Sequence, residues 1–267
     1  MKSSLYITDD YFPIISPYKS KGNIEENNMK KLVVITGASS GIGEELARQM
    51  SALGHPLLLI ARRLERLEAL NLPNTICAKV DVTDKASFND VIDSAVAQYG
   101  PVDLLVNNAG VMLLGQIDTQ DAAEWKAMYD VNVLGLLNGM QAVLSDMKAR
   151  NTGTIVNISS IAGRKTFGEH AAYCGTKFAV HAISENVREE VADSNVRVIT
   201  IAPGAVETEL LSHTTSDEII AGYESWKESM DGVLAPIDVA NSISFAYQQP
   251  QNVCIREIVL CATRQQP

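Results

Sequence analysis

A tyrosine and a lysine one helical turn apart are the residues of this sequence best suited to chemistry. Tyr173 and Lys177 are separated by four positions, so on a helix their side chains share one face. A free phenol has a pKa of about 10, and a nearby ammonium group favours the phenolate and lowers that pKa. The pair therefore predicts a general acid or base that exchanges a proton with an alcohol or carbonyl oxygen.

A serine at the end of a predicted strand supplies a second polar group. Ser160 directly follows the apolar stretch Thr154–Ser159, where its hydroxyl could hydrogen-bond the reacting oxygen and orient it. Ser159 competes for this role, because successive strand residues point to opposite faces and only one hydroxyl can face a substrate. Asn132 is a polar residue in an otherwise apolar helical stretch, so a hydrogen-bonded core asparagine remains an alternative to a site residue.

The sequence TGASSGIG, residues 36–43, lies between the first predicted strand and the first predicted helix. Glycines allow a tight turn and let backbone N–H groups approach a diphosphate, while the helix N-terminus offers its positive dipole end. The spacing GxxxGxG differs from the GxGxxG of many dinucleotide folds, and similar turns cap helices that bind no nucleotide. If the turn binds a nucleotide, the predicted contacts are Gly37, Ser39, Ser40, Gly41, Ile42 and Gly43.

Two arginines end the second predicted strand, at the place where the ribose of a dinucleotide is read. An Asp or Glu there would favour NAD, whereas Arg62 and Arg63 offer guanidinium groups to a 2′-phosphate. The alternative is that both arginines merely decorate a solvated helix start, although positive charge is unfavourable at a helix N-terminus. The sequence therefore predicts NADP as the cofactor, in preference to NAD.

The elements that must position these residues alternate between strands and helices. The predicted strands are Lys31–Thr36, Pro56–Ala61, Thr75–Asp81, Val102–Val106, Thr154–Ser159, Val196–Ala202 and Cys254–Leu260. The predicted helices are Gly41–Leu53, Arg63–Leu70, Lys85–Tyr99, Ala122–Ala149, Ala171–Val191 and Pro236–Tyr247. Continuous Val/Ile/Leu strands are buried on both faces, as in parallel sheets with helical crossovers. We therefore expect a single-domain α/β fold over residues 30–267, a doubly wound, Rossmann-like parallel sheet with helices on both faces.

Composition excludes several classes of partner and site. The net charge of −10 over 267 residues disfavours binding to nucleic acid or to an anionic membrane surface. The four cysteines and four histidines show no metal-ligand spacing, so no metal site is predicted. Residues 1–29 lack sustained periodicity and are expected to be a disordered extension, with Met29 as a plausible start. Without a secretory signal, the cytoplasm is the expected compartment.

Several further motifs follow the predicted strands in order. They are Asp81-Val82-Thr83, Asn107-Asn108-Ala109-Gly110, Tyr173-Cys174-Gly175-Thr176-Lys177 and Pro203-Gly204-Ala205-Val206-Glu207-Thr208. Together with TGASSGIG, this set resembles the short-chain dehydrogenase/reductase family over about residues 30–210. The resemblance implies Tyr173 as the acid/base, Ser160 as the orienting donor and Lys177 as the group that tunes the tyrosine and binds ribose. It also implies that Asn132 holds a water in a proton relay.

The same resemblance implies further contacts with the cofactor. Asp81 and Val82 are expected beside the adenine, and the segment after the fourth strand beside the crevice. The residues implied in the crevice and at the nicotinamide end are Asn107, Ala109, Gly110, Pro203, Gly204, Val206 and Thr208. Family members associate through their long helices, so a homo-oligomer, a dimer or a tetramer, is expected.

The substrate is predicted only by class. The segment Leu210–Met230 contains large apolar side chains that could wall a pocket, or it could be a surface helix and loop. Arg164, Lys165 and His170 are candidates to meet a substrate carboxylate, but each could equally lie in a solvated loop. The strand end Ala-Arg-Arg and the terminal strand are similar to bacterial 3-hydroxy acid and serine dehydrogenases and carbonyl reductases.

These features predict an NADP-dependent oxidoreductase acting on a small alcohol or carbonyl compound, either a 3-hydroxy acid or a ketone or aldehyde. A lyase or epimerase on the same fold is one alternative, and a nucleotide-sensing regulator without turnover is another. Ser160, Tyr173 and Lys177 in the reductase spacing disfavour the lyase or epimerase. A regulator would not need the acid–base group, so the unbroken set of these residues with Asn132 argues against it.

Overall fold

One sheet of seven parallel strands organises the computed structural model, which describes residues 30–266. The predicted extension over residues 1–29 lies outside the described residues. The strands are β1 (Leu32–Thr36), β2 (Leu57–Ala61), β3 (Thr75–Lys79), β4 (Val102–Asn107), β5 (Gly153–Ile158), β6 (Val196–Pro203) and β7 (Glu257–Leu260). The α-helices are α1 (Gly41–Ala52), α2 (Leu64–Ala69), α3 (Lys85–Tyr99), α4 (Ala122–Tyr129), α5 (Leu136–Ala149), α6 (Ala171–Glu190), α7 (Asp217–Ser229) and α8 (Pro236–Tyr247).

The strand order places a crevice at the middle of the sheet. The strands lie side by side as β3-β2-β1-β4-β5-β6-β7. The chain therefore winds outward in one direction from β1 and, after crossing to β4, in the other. In such sheets ligands bind outside the carboxyl ends of the strands at this switch point. The predicted doubly wound α/β fold is confirmed.

Burial on both faces explains why the strands read as continuous apolar runs. In β1, Leu32 and Val34 pack toward the face covered by α3, α5 and α6. Val33 and Ile35 pack toward the opposite face, covered by α1, α2 and α8. All four side chains are fully buried, so both layers press on the same strand and fix its position.

The prediction of one continuous helix over Ala122–Ala149 is wrong. A π-helical turn at Asp130–Gly135 separates α4 from α5. A side chain at Gly135 would place its Cβ 2.6 Å from Val82, so the turn lies against the segment after β3. The apolar positions continue on both sides of the wide turn, which explains why the hydrophobic period did not reveal it.

The segment after β6 is more ordered than a loop. A 3₁₀ turn at Glu209–His213 leads into α7, whose first turn begins at Ser216. The Ser216 side chain accepts a hydrogen bond from the Ile219 N–H, and Asp217 and Glu218 lie in the first turn near the positive dipole end. These are helix-start signals that the sequence itself contains.

The other predicted ends of strands and helices differ from the observed ends by up to three residues. The largest difference is in the last strand, which begins at Glu257 instead of Cys254. Within residues 30–266, the helices are too short or too polar to cross a bilayer.

A chain of buried polar side chains crosses from β4 to α6. The Asn107 amide donates to Asn157 Oδ1 at 2.9 Å, and the Asn157 amide donates to Ser184 Oγ at 2.9 Å. Ser184 Oγ in turn donates to the Val180 carbonyl oxygen at 2.7 Å. Because buried polar groups are costly when unpaired, this chain fixes the relative position of two strands and the helix that carries the tyrosine and lysine.

Asn157→Leu is expected to lower the free energy of unfolding by about 2–4 kcal/mol, because Asn107 loses its buried acceptor and Ser184 its donor. Denaturant unfolding at a fixed protein concentration measures the change. Ser94→Ala, which removes an exposed hydroxyl from α3, is the control and should change stability by less than about 0.5 kcal/mol. Equal stability of both variants would contradict a structural role for the polar chain.

Candidate active site

A cleft of about 500 Å³ runs across the carboxyl edge of the sheet. The glycine turn lines one end, the ends of β4, β5 and β6 form its floor, and α6 and α7 form the other end. Most of the residues predicted from the sequence line this cleft. They are Gly37, Ser39, Ser40, Gly41, Ile42, Arg62, Arg63, Asp81, Val82, Ala109, Gly110, Ser160, Tyr173, Lys177, Pro203, Gly204, Val206 and Thr208.

Three of the predicted catalytic and cofactor-binding residues do not line it. The buried side chain of Asn107 hydrogen-bonds Asn157 and is not among the lining residues, so its predicted contact with the cofactor stays a prediction. Gly43 packs within the turn, where an added Cβ would lie 2.6 Å from the Gly37 carbonyl oxygen. Asn132 is buried beside the cleft.

The glycine turn is held from the neighbouring strand end. Gly37 and Gly41 have φ values of +64° and +56°, and a Cβ at Gly37 would come within 2.8 Å of the Ala109 Cα. The Asn108 side chain donates to the carbonyl oxygens of Thr36 and Gly37 at 2.9 and 3.2 Å. Thr36 Oγ1 accepts from the backbone N–H groups of Asn108 and Ala109, both at 3.0 Å. Sequence reasoning missed this use of Asn108, although it stands in the same Asn-Asn-Ala-Gly motif.

Asn132 joins the segment after β4 to helix α6. Its Oδ1 accepts from the Val111 N–H at 2.8 Å, and its Nδ2 donates to the Val111 carbonyl oxygen at 2.9 Å. Nδ2 also donates to Thr176 Oγ1 at 3.1 Å. The wide turn carrying Asn132 therefore satisfies the whole amide inside the protein, and the predicted water relay stays a prediction.

Ser160 is the serine that faces the tyrosine. Ser159 Oγ donates to the Lys177 carbonyl oxygen at 3.1 Å and lies 2.9 Å from His181 Nδ1, so it points into α6. The Ser160 side chain instead lines the cleft with Tyr173, accepts a hydrogen bond from the Ala162 N–H at 3.0 Å and donates to the Pro203 carbonyl oxygen at 3.4 Å. The alternation of the strand thus separates the two hydroxyls.

Tyr173 and Lys177 are both buried in the cleft wall. Lys177 Nζ lies 5.7 Å from the centroid of the tyrosine ring and donates to the Ile158 carbonyl oxygen at 3.0 Å. Burial lowers the pKa of Lys177 to about 8. Burial also raises the pKa of Tyr173 well above its usual value, and the hydrogen bond with Ser160 offsets only part of that rise. The net direction is therefore opposite to the lowering predicted from the sequence, because loss of water is the largest cause.

The two arginines lie at the glycine-turn end of the cleft. Arg63 donates to Ser39 Oγ and Ser40 Oγ and forms an ion pair with Glu209 at 2.7 Å. Arg62 is exposed and also lines the cleft. No carboxylate follows β2 directly, so both groups at this strand end are cationic.

The predicted wall Leu210–Met230 forms one side of the opposite end. Met230 is buried without lining the cleft, and Lys227 lines it while paired with Glu207 at 2.8 Å and Glu224 at 3.0 Å. The apolar residues of this segment that line the cleft are Leu210, Leu211, Ile219, Tyr223 and Trp226.

Aromatic side chains surround this end. Tyr223 and Trp226 meet edge to face with ring centroids 5.2 Å apart, and His170 stacks on Tyr223 at 6.3 Å. Burial lowers the pKa of His170, which keeps its ring neutral near pH 7. Phe167 and Glu169 complete the lining on the His170 side.

The three predicted carboxylate ligands do not form a cationic pocket. Arg164 forms an ion pair with Glu257 and does not line the cleft. Lys165 also lies outside the lining, and its ammonium stands over the Phe167 ring at 4.9 Å. His170 lines the cleft as a neutral ring.

A residue near the chain end was not predicted. Gln265 is buried and lines the cleft, and its Oε1 accepts from the Ala205 N–H at 3.0 Å. No local pattern in the sequence indicates that the chain returns to the cleft after β7.

Comparison with known proteins places this geometry in a family. Residues 31–219 match the family model described as short chain dehydrogenase. An uncharacterised oxidoreductase of Staphylococcus saprophyticus is 39% identical over 241 residues, which is 88% of this chain and 97% of that protein. The glycine betaine reductase of Emericella nidulans is 39% identical over 236 residues, which is 86% of this chain but 18% of that protein.

A solved structure of serine dehydrogenase in its closed form, complexed with NADP⁺, superposes with a TM-score of 0.82. It is 30% identical in sequence, and the match covers 88% of this chain and 96% of that chain. The family model matches most of the chain, and the Staphylococcus saprophyticus relative is 39% identical over nearly its full length. The chain is therefore a member of the short-chain dehydrogenase family.

Proposed function

We propose that the protein is an NADP-dependent oxidoreductase that interconverts a small alcohol and its carbonyl compound, with Tyr173 as general acid/base. The observation that carries the proposal is the meeting of Ser160, Tyr173 and Lys177 in one cleft with the glycine turn. When bound, NADPH would supply the hydride to the carbonyl carbon, and NADP⁺ would take it from the alcohol in the reverse direction.

The described residues fit such a cofactor. Ser40 precedes α1 without a side-chain cap hydrogen bond, so the N–H groups of the first turn of this helix remain for a diphosphate, and the positive φ values of Gly37 and Gly41 shape the turn in front of them. Arg62 and Arg63 line the cleft at the ribose position and favour a 2′-phosphate over a free hydroxyl. The similar serine dehydrogenase structure holds NADP⁺, which agrees with this charge.

The raised pKa of Tyr173 supports a role as proton donor in the reduction. A phenol that keeps its proton at neutral pH donates that proton to the carbonyl oxygen as the carbon is reduced. Ser160 orients the same oxygen through a hydrogen bond. Lys177, charged below a pH of about 8, stabilises the negative charge left on the tyrosine oxygen. A regulator without turnover would not need this proton donor, and the reductase spacing of Ser160, Tyr173 and Lys177 disfavours a lyase or an epimerase.

The far end of the cleft favours a substrate without a carboxylate. Among residues 30–266, the lysine that lines this end, Lys227, is already paired with Glu207 and Glu224. Glu169 adds another acidic group, and the aromatic rings supply apolar faces. We therefore propose a ketone or aldehyde with a neutral or cationic body in preference to a 3-hydroxy acid.

A quaternary ammonium aldehyde is the second candidate. The rings of Tyr223 and Trp226 and the Glu169 carboxylate line the same cleft and have the chemistry that binds onium groups, since aromatic rings and carboxylates attract cations. The similar glycine betaine reductase is named for a compound that carries a quaternary ammonium group.

Self-association is proposed through the long helices. Tyr129, Leu134, Leu137 and Phe178 expose between 38% and 52% of their surface on or between α4, α5 and α6. Side chains of this size on adjacent helices favour contact with a second copy of the chain.

Tyr173→Phe is expected to lower kcat for carbonyl reduction at least about 10²- to 10⁴-fold, because the proton donor is removed. Fluorescence titration should show that NADPH still binds. Tyr99→Phe, which alters a half-buried tyrosine at the end of α3 outside the cleft lining, is the matched control and should keep full turnover. Unchanged turnover in the Tyr173 variant would end the mechanistic proposal.

The two reaction directions should respond oppositely to pH. Oxidation needs the phenolate of Tyr173, whose pKa is raised, so its kcat/KM should rise from pH 6 into the alkaline range. Reduction needs the phenol and the Lys177 ammonium, so its kcat/KM should stay flat to about pH 8 and then fall. Initial rates at saturating cofactor measure both profiles, and an oxidation rate that falls with increasing pH would refute the assignment.

A substrate panel tests the pocket. Betaine aldehyde and 3,3-dimethylbutanal have the same shape and differ by one positive charge, and 3-hydroxybutyrate and serine represent carboxylates. We expect both aldehydes to be reduced, with betaine aldehyde favoured about tenfold in kcat/KM if it meets the aromatic faces and Glu169.

Glu169→Gln should remove most of that preference, and Glu218→Gln, an exposed position of α7 outside the cleft lining, should not. Turnover of the carboxylates alone would contradict the substrate class. Equal turnover of the two aldehydes would reject the onium candidate only.

A further inference from the structure

The Glu209 carboxylate, which directly precedes the predicted wall Leu210–Met230, forms an ion pair with Arg63 at the end of the cleft near the glycine turn. Arg63 Nη1 donates to Glu209 Oε2 at 2.7 Å, while its Nε and Nη2 donate to Ser39 Oγ at 3.3 and 3.1 Å. Nη2 also donates to Ser40 Oγ at 2.9 Å. Every nitrogen of this guanidinium is therefore engaged, and two of its partners belong to the glycine turn.

The carboxylate is shared with a second arginine. Arg66 Nη1 donates to both oxygens of Glu209, at 2.7 and 2.9 Å. Hydrogen bonds from Arg66 and Arg63 lower the pKa of Glu209 to about 2, so it stays ionised throughout the working pH range. Glu209 is still about half exposed, with 47% of its side chain accessible, so water and ions reach this ion pair.

Two guanidinium groups around one carboxylate form the same arrangement that binds a phosphate monoester. A dianionic phosphate bound to the Arg63 guanidinium would lie close to the Glu209 carboxylate, and the two negative charges would repel each other. Serine hydroxyls carry no such charge and do not compete electrostatically.

We propose that Glu209 competes with the 2′-phosphate of NADP for Arg63 and thereby limits the preference of this enzyme for NADP over NAD. The inference rests on the proposed cofactor. Glu209 acts as a specificity-determining residue, because its charge affects a cofactor that carries the phosphate and leaves one that lacks it unaffected.

The position of Glu209 in the chain connects this ion pair with the segment that lines the other end of the cleft. It is the first residue of the 3₁₀ turn Glu209–His213, which leads into α7 and the aromatic end of the cleft. The ion pair therefore connects the segment that leads into the predicted wall Leu210–Met230 with Arg63 and Arg66.

Nucleotide fragments test the proposal without turnover. Isothermal calorimetry compares the binding of 2′,5′-ADP, which carries the ribose phosphate, with that of 5′-ADP, which lacks it. Glu209→Gln keeps the shape of the side chain and removes its charge. We expect this variant to bind 2′,5′-ADP about three- to tenfold more tightly than the wild type and 5′-ADP equally well.

The gain should shrink when the salt concentration is raised, because the pair is exposed. Glu218→Gln, which removes an equal charge from an exposed position of α7, is the control and should leave both Kd values unchanged. Circular dichroism confirms that each variant is folded.

Two results overturn the proposal. Weaker binding of 2′,5′-ADP by Glu209→Gln would mean that the carboxylate orients Arg63 for the phosphate, and an unchanged Kd would mean that the phosphate does not compete for Arg63. A wild type that binds 5′-ADP and NADH as tightly as 2′,5′-ADP and NADPH would instead refute the NADP assignment, which distinguishes the failure of the proposed function from the failure of this inference.

Discussion

Removal of water from Tyr173 and Lys177 is the constraint on which the chemistry of this site depends. Burial disfavours both the phenolate and the ammonium, so it raises one pKa and lowers the other. The Ile158 carbonyl oxygen accepts a hydrogen bond from the lysine, and Ser160 offsets only part of the rise in the pKa of the phenol. The balance keeps the proton on the tyrosine at neutral pH, as the proposed donation to a carbonyl oxygen requires.

The fold creates this burial at the point where the strand order reverses between β1 and β4. Asn108 binds the glycine turn from the end of β4, and Asn132 binds the segment that follows β4 to α6. The wide helical turn at Asp130–Gly135 lets the second asparagine reach that segment. The glycine turn and the helix that carries Tyr173 and Lys177 are therefore both held by the stretch of backbone from Asn108 to Val111.

The sequence predicted the architecture well because apolar strands and helical periods are local signals. It also predicted most of the cleft, since residues after parallel strands meet at one edge. The use of Asn108 in place of Asn107 depends on which strand face each side chain takes, and the sequence did not decide it. The sign of the Tyr173 pKa shift depends on burial, which spacing alone does not give. Gln265 reaches the cleft only through tertiary structure.

The most direct test of this account is the titration of the Tyr173 phenol itself. Carbon-13 NMR of tyrosine labelled at Cζ, with Tyr173→Phe used to assign the resonance, measures its pKa in the protein without nucleotide and with 2′,5′-ADP or NADP⁺. The account predicts a pKa above 10 in the protein alone and with 2′,5′-ADP, and a lower value with NADP⁺, whose nicotinamide ring is positively charged. A phenolate already formed near neutral pH without nucleotide would contradict it.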